Sequence, residues 1–483
     1  MEINFSKIKE VYFKYKILIT LITSTILFSL ACFWTPFIVL AWIVLGVSFT
    51  FSKIQEILGY VLYFMMFSRN TIFFIGVGIL AFIAIFVKYI IDLVKKRVET
   101  YKIPLLFTTL FCLAFIPLTF YYSEDFHRYN TEFQGVVQGL LFIGIMYVIY
   151  LLFCYRKQIN LSFCFNMLFY GIVASGIVCL ILYFIPSAEI AFYDVNDFIY
   201  LPVRDLVFSV DVDCSRLMLL SYHANHLASY CMVISTYSIY YLMNNNYTGN
   251  EKKYLYYALM FFIVTIIGIF TMSKAFLLVT VLILIYAIIF FIIKLKKHSI
   301  FLIVPVVIIV LVGAFVFRGT IEKIIHRFST YEDGETFFGI LTTGRSVIWD
   351  NYKNELLSSP WKLIFGKGLF QVEIITIGPH NMYIEIIYRV GLFGLLLLGV
   401  LCYLYMREVG HKLKFSLKKF LPLFIFLVHS IQEANFDERF LFLILSIMLL
   451  FESKESELKE DVKKEGIDNS KNNENTNKIE TNN

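Results

Sequence analysis

Runs of apolar residues recur along almost the whole chain, each about 15 to 25 residues long and separated by short polar connections. About 20 consecutive apolar residues cross a bilayer as a helix. The pattern predicts spans at roughly 17–34, 36–51, 54–67, 71–93, 103–121, 135–154, 161–185, 217–243, 254–271, 275–293, 299–317, 381–406, 419–432 and 439–451. The third and thirteenth are short enough to be tilted or re-entrant, which sets the number at about 12 to 14. The runs lack the apolar/polar alternation of a membrane barrel, so helices are what satisfies the backbone in lipid. The fold class predicted is all-α, a polytopic transmembrane helical bundle.

The connections between spans fall into two sets. Basic residues occupy one: Lys7-Ile8-Lys9 with Lys14 and Lys16, Lys95-Lys96-Arg97, Arg156-Lys157, Lys252-Lys253, Lys294 to His298, and Arg407 to Lys419. Acidic residues occupy the alternate connections, at Ser123-Glu124-Asp125, Asp194 to Asp213 and Gln432 to Glu438. The two sets interleave, and the bias of Lys and Arg toward the cytoplasmic side places both termini in the cytoplasm and the acidic loops outside. Met1 to Lys16 is polar and basic, and the first apolar run continues as a span, so it reads as an uncleaved anchor.

Two outer connections are long, about Pro186 to Ser215 and about Arg318 to His380. With short inner loops, a long outer loop is where outward-facing chemistry belongs. Within it, Tyr331-Glu332-Asp333-Gly334-Glu335 reads as an exposed turn and Arg345 to Leu357 as an amphipathic helix stopped by Ser358-Ser359-Pro360. Phe365-Gly366-Lys367-Gly368 reads as a tight turn, and Gly378-Pro379 leads into the next span. Residues 1–451 thus form the membrane domain. Residues 452–483, rich in Asn, Lys and Glu, form a disordered cytoplasmic tail.

Composition narrows the classes further. Hydrophobic residues make up 59% of 483 and charged residues 16%, too apolar for a soluble protein with one core. The net charge of +6 resides in short loops, so it gives no nucleic-acid surface. Eight cysteines are scattered mostly through the spans (Cys32, Cys112, Cys164, Cys179, Cys231, Cys402), without metal-ligand or disulfide-framework spacing, and read as buried small hydrophobes.

Four clusters carry candidate chemistry. In Gly378-Pro379-His380-Asn381-Met382-Tyr383-Ile384-Glu385, His380 and Asn381 stand at the outer N-terminal end of a helix, whose partial positive charge suits an anionic ligand such as pyrophosphate. Asn381, Glu385 and Arg389 share one helix face. Burial of the two charges requires that they pair, so a structural ion pair with a capping Asn competes with a substrate-binding face. Arg345, in Thr343-Gly344-Arg345-Ser346, presents a planar fork matched to phosphate oxygens at a helix start that ordinarily favours acids. In Thr271-Met272-Ser273-Lys274, Lys274 lies at an outer helix mouth, where lysines are disfavoured unless used or snorkelling. In Cys214-Ser215-Arg216 with His223-Ala224-Asn225-His226, the two histidines lack a third or fourth ligand, so a polar patch lining the bundle outranks a metal site.

The order Gly-Arg345 with Trp349, Pro360, Phe365-Gly366-Lys367-Gly368, then His380-Asn381-Met382-Tyr383-Ile384-Glu385 with Gly391 and Gly394, resembles the O-antigen ligase/polymerase superfamily. That superfamily includes O-antigen ligases, Wzy-type polymerases and related capsule and teichuronic-acid polymerases. The resemblance spans about residues 215 to 394. It implies a membrane fold related to C-class glycosyltransferases, sited in a bacterial cytoplasmic membrane with the active site on its outer face. It also implies inverting, metal-independent glycan transfer from polyprenyl-pyrophosphate donors, without a cofactor and with undecaprenyl pyrophosphate as the carrier. The family's loop histidine corresponds to His380, its loop arginine to Arg345, and its outer-face Ser-Arg to Ser273-Lys274, where Lys lacks the bidentate fork. Its Arg…Asn segment resembles Arg216 to Asn225. His380, Arg345 and Lys274 are then expected in catalysis, and Arg216, Asn225, Asn381 and Glu385 in substrate binding. The partners implied are the lipid-linked oligosaccharide, membrane lipids, and flippase and chain-length regulator proteins.

Within this frame polymerisation of repeat units is favoured over ligation. Two other readings stay open. Asp211-Val212-Asp213 with Glu124-Asp125 would suit a metal-dependent glycosyltransferase. A lipid-linked oligosaccharide flippase would predict duplicated halves with matching broken helices, which the sequence does not display.

Overall fold

The computed structural model describes residues 5–67, 77–121, 143–144, 146–194, 197–211, 214–221, 223–244, 251–294, 322, 345–367, 380–409, 417–431 and 441–449. The helices are α1 (Phe5–Leu30), α2 (Pro36–Phe51), α3 (Ile54–Phe64), α4 (Val77–Val94), α5 (Lys102–Tyr121), α6 (146–154), α7 (Leu161–Tyr183), α8 (Val203–Val207), α9 (Ala224–Asn244), α10 (Glu251–Phe270), α11 (Lys274–Lys294), α12 (Arg345–Leu357), α13 (Pro360–Phe365), α14 (Met382–Val409), α15 (Leu417–His429) and α16 (441–449). Among the described residues, α4, α7, α10 and Met382–Arg407 of α14 are long and apolar enough to cross a membrane. Shorter apolar helices include Tyr15–Leu30, Pro36–Phe51 and Phe420–His429. The expected all-α polytopic bundle is what the chain forms.

Many large apolar side chains lie on the outside of this bundle. On α1, Leu18, Ile22 and Ile26 repeat at i, i+4 and i+8 and are all exposed, while Leu21, Ser24 and Phe28 face inward. Exposed stripes of that length suit acyl chains and not water. Because lipid removes most of the hydrophobic drive between helices, packing and interhelical hydrogen bonds hold the bundle. Thr20 meets Ser48 at 2.8 Å, Thr25 meets the Tyr63 hydroxyl at 3.0 Å, and Ser162 meets the Tyr257 hydroxyl at 2.6 Å. Such bonds contribute about 0.6 kcal/mol each in membranes. The described cysteines Cys32, Cys112, Cys164, Cys179 and Cys231 are buried as expected, and Cys402 is half-buried.

Contacts between connections sort the two ends of the bundle. At one end Lys16 pairs with Glu56 at 2.5 Å, Lys88 donates to the Thr50 carbonyl at 3.3 Å, Tyr155 donates to Asp92 at 2.8 Å, and Arg156 stacks over Tyr101 at 4.9 Å. At the other end the Glu189 N–H bonds Cys32 O at 2.8 Å, Arg216 Nε bonds Thr271 O at 3.0 Å, and the Met382 N–H bonds Ser430 O at 2.9 Å. Each of these contacts joins segment ends that an alternating path across the bundle puts on the same side.

Three details differ from the sequence pattern. The long connection after α7 is not irregular: β1 (Glu189–Asp194) pairs antiparallel with β2 (Asp197–Pro202), and β3 (Phe208–Asp211) with β4 (Cys214–Leu217). The span expected from residue 217 therefore begins as a helix only at Ala224, because 214–217 is committed to a strand ladder and Leu219 turns with φ 52°. The span expected at 381–406 is broken at Gly391, whose φ of 67° and ψ of −174° end one helix and start another. The expected span 299–317, the turn at Tyr331–Glu335, Glu124-Asp125, Val212-Asp213, Gln432 to Glu438 and the tail 452–483 lie outside the described residues.

The break in α14 carries a docked arm. As expected, α12 runs from Arg345 to Leu357, stops at Ser358-Ser359 and is followed by α13, which begins at Pro360. Tyr352 and Leu356 of α12 pack on Tyr388 of α14, the two tyrosine rings meeting edge-to-face at 4.6 Å. Such a pair is worth about 0.5–1.5 kcal/mol beyond its area. Gly366, with φ 77°, brings the chain against the break. A Cβ there would lie 2.6 Å from Arg389 O and Gly391 N, and one on Gly391 would lie 2.2 Å from Ile364 O. The Lys367 N–H caps the Tyr388 carbonyl at 2.7 Å, a group the broken helix cannot satisfy itself. Lys367, 4% exposed, hydrogen-bonds Glu355 through its ammonium, and Lys362 reaches the same carboxylate at 2.8 Å. Burial pushes the Glu355 carboxyl up, but the hydrogen bonds from Lys362 and Lys367 outweigh it and hold it below the usual carboxylate range.

Candidate functional site

The starts of α9, α11 and α14 lie at the end of the bundle that carries the strand hairpins between α7 and α9. Each start follows a strained turn. Among the described residues the non-glycine positive-φ positions are Lys96, Leu219, Met272 and His380, and the last three lie within six residues of those helix starts. Residues held in that region cost of order 1–3 kcal/mol and concentrate at functional sites.

Arg216, on β4, is the centre of the first group. It is buried, its Nε donates to Thr271 O at 3.0 Å, and its guanidinium also donates to Asn225 Oδ1. Thr271 opens the turn that carries Ser273 and Lys274, so that turn, 55 residues on from Arg216, meets the start of α9 around one guanidinium. Ser273 is buried and Lys274, the first residue of α11, is partly exposed. Asn225 is fixed from its backbone too, its N–H donating to His223 Nδ1 at 3.1 Å. The His223 and His226 rings are 6.5 Å apart, and that hydrogen bond occupies one of the nitrogens a metal would use. Among the described residues no three His, Cys, Asp or Glu side chains gather in a metal-binding group.

The second group is the start of α14. His380 is partly exposed with φ 46°, and Asn381 behind it is buried. Asn381 Oδ1 accepts from the Tyr383 and Ile384 N–H groups at 3.0 and 3.1 Å, which makes it the N-cap of α14. Glu385 pairs with Arg389 at 2.5 Å, one turn along. Of the two roles the sequence allowed these residues, the structure displays the cap and the ion pair. Asn381→Ala is accordingly expected to lower stability by about 1 kcal/mol while Asn381→Ser restores most of it. A thermal-unfolding series in detergent checks this, and a normal melt with a raised KM in the serine variant would instead mark a binding residue.

The two groups belong to one end of the bundle through α15. Its Ser430 carbonyl accepts from Met382 N–H, its Leu427 carbonyl accepts from the Tyr383 hydroxyl at 2.9 Å, and its body packs on α9 and α11. His429, buried beside Ser430, was not singled out by the sequence because it reads as the end of an apolar run. Thr271 stands in the Lys274 cluster, but its role was not legible there because it acts through its backbone carbonyl, which no side-chain pattern reports. Arg345 heads the docked arm and is partly exposed. The chain leading from that arm to His380, residues 368–379, lies outside the described residues.

With three helix N-termini, a buried arginine and a lysine at one end, the arrangement is electropositive and suited to a phosphorylated ligand. Neither a curated protein nor a solved structure matches the chain. A family model described as O-Antigen ligase matches residues 259–399, from within α10 to within α14, a stretch that includes Lys274, Arg345, His380, Asn381 and Glu385 but not Arg216 or Asn225. Over that stretch the chain is similar to the O-antigen ligase family, a family of polytopic membrane proteins, in keeping with the resemblance its motifs carry.

Proposed function

We propose that the protein transfers glycan from a polyprenyl-pyrophosphate donor to an acceptor sugar hydroxyl at the outer face of a bacterial cytoplasmic membrane. The reaction is polymerisation of repeat units for a capsule, O-antigen or exopolysaccharide, and both termini are cytoplasmic. The observation that carries this reading is the junction of Arg216, Asn225 and the Thr271–Lys274 turn at the end of the bundle where α14 presents His380.

His380 accepts the proton of the acceptor hydroxyl, whose oxygen attacks the anomeric carbon of the donor from the face opposite the pyrophosphate. The bond from that carbon to the pyrophosphate oxygen breaks, the configuration inverts, and the polyprenyl pyrophosphate departs. Arg345 and Lys274 offset the charge that develops on the leaving group. Arg216 supplies fixed positive charge behind them and orders Asn225 and the Lys274 turn. Three cations and helix N-termini can do this without a divalent ion.

The test uses the purified full chain in detergent with a synthetic polyprenyl-pyrophosphate repeat unit and EDTA. A ladder of longer lipid-linked glycans that weakens at least about tenfold in Lys274→Ala supports the proposal. A ladder abolished by EDTA would overturn metal independence. Product formed only when a lipid-core acceptor is added would replace polymerisation with ligation.

A further inference from the structure

The depth of the docked arm can be read from α14. Below the break, Leu392–Val409 rises about 27 Å, close to the roughly 30 Å of the hydrocarbon, so Gly391 stands near one membrane boundary. The charges at the same level require this as well: Lys362, Lys367 and Glu355 cluster around the break, and Glu385 and Arg389 lie just above it. Five charged groups in the hydrocarbon would be costly even when paired.

At that boundary the arm turns an apolar face outward. Trp361 and Ile364 of α13 are 68% and 40% exposed and Leu357 at the end of α12 is 57% exposed, whereas Leu363 packs on the Tyr352–Tyr388 core. The face is ordered: Trp361 stacks on Phe365 at 5.8 Å, and Phe365 packs on Phe393 at 5.9 Å. Phe393, Leu392 and Leu396 are exposed and belong to the lipid-facing stripe of the spanning part of α14. The aromatic row thus runs from the arm directly onto the bilayer-facing surface.

We infer that α13 is an interfacial anchor, with Trp361, Ile364 and Phe365 seated among phospholipid headgroups and upper acyl chains beside α14. The occupant is the lipid surface itself. A tryptophan ring with an apolar body and a polar N–H favours that layer, and Lys362 on the adjoining face keeps its ammonium on the polar side. The anchor sets the height of α12, and with it Arg345, above the membrane. It stands independently of the glycan-transfer reading.

Trp361→Phe removes one of four tryptophans, so the wild-type emission minus that of the variant isolates Trp361. The full chain is placed in nanodiscs of phosphatidylcholine brominated either near the carbonyl end or near the acyl midpoint. The difference emission is expected to be quenched about twofold more by the shallow label than by the deep one, and weakly by aqueous acrylamide. Strong acrylamide quenching without lipid quenching would overturn the inference in favour of a solvated arm. Protection from both would overturn it in favour of a protein cover, including a second copy.

Discussion

Replacing His380 by alanine is expected to reduce glycan transfer about 10²–10⁴-fold, the usual worth of a positioned general base. The residue stands at the N-terminus of α14 with φ 46°, so alanine changes backbone preference as well as chemistry. His380→Asn separates the two. Asparagine tolerates the left-handed region but cannot take up the hydroxyl proton at neutral pH. The asparagine variant should therefore melt like the wild type, bind the lipid-linked donor with unchanged affinity and still lose turnover to the same extent as alanine. Full turnover in the asparagine variant would remove His380 from the chemistry and reduce it to a turn residue. Full turnover in both would remove it from the mechanism altogether.

Gly391→Ala is expected to release the arm. A Cβ at 2.2 Å from Ile364 O meets the backbone of Ile364 and Phe365, so no rotamer change relieves it, and the φ of 67° adds about 1–3 kcal/mol of strain of its own. The cheapest relief is for α13 to lift away, which frees Tyr388 O from the Lys367 N–H and opens the Tyr352–Tyr388 contact. Proteolysis of the 345–367 segment should accelerate strongly, and turnover should fall with Arg345 displaced. Gly366→Ala clashes at the same junction, so the double variant should cost clearly less than the two single costs added, because the arm is displaced only once. Gly399→Ala, on the same helix with open space around its Cα, supplies the control and should behave as wild type. Additive costs, or proteolysis unchanged in Gly391→Ala, would mean that the arm is held elsewhere.

These two expectations draw on different kinds of information. Much of the bundle was legible in the chain itself. Lipid offers the backbone no hydrogen bonds, so a run such as Leu161–Tyr183 has one way to exist there, and hydropathy alone finds it. The basic residues Lys16 and Arg156 lie at one end of the bundle with their partners Glu56 and Tyr101. The candidate residues were legible where chemistry and position coincide: an arginine or histidine at a helix start facing the acidic side stands out in an apolar sequence. The helix of the outer loop, from Arg345 to the stop before Pro360, was legible from its local signals.

What the tertiary structure alone decided are the relations between backbone segments. Hydropathy averages over a window, so it joined Met382–Val390 to Leu392–Val409 as one span. The break at Gly391 depends on a loop glycine, Gly366, approaching from another helix. The two strand hairpins before α9 arise from ladders whose register depends on turns that apolar content does not encode. Arg216 reaching Thr271 O is a long-range contact to a carbonyl that every residue possesses, so nothing in the side-chain order marks it. The sequence determines which segments are apolar enough to enter the membrane, because transfer free energy is a sum over single residues. Where the chain breaks, which loops dock and which cations share a ligand follow from packing between distant segments, and only the folded molecule fixes those.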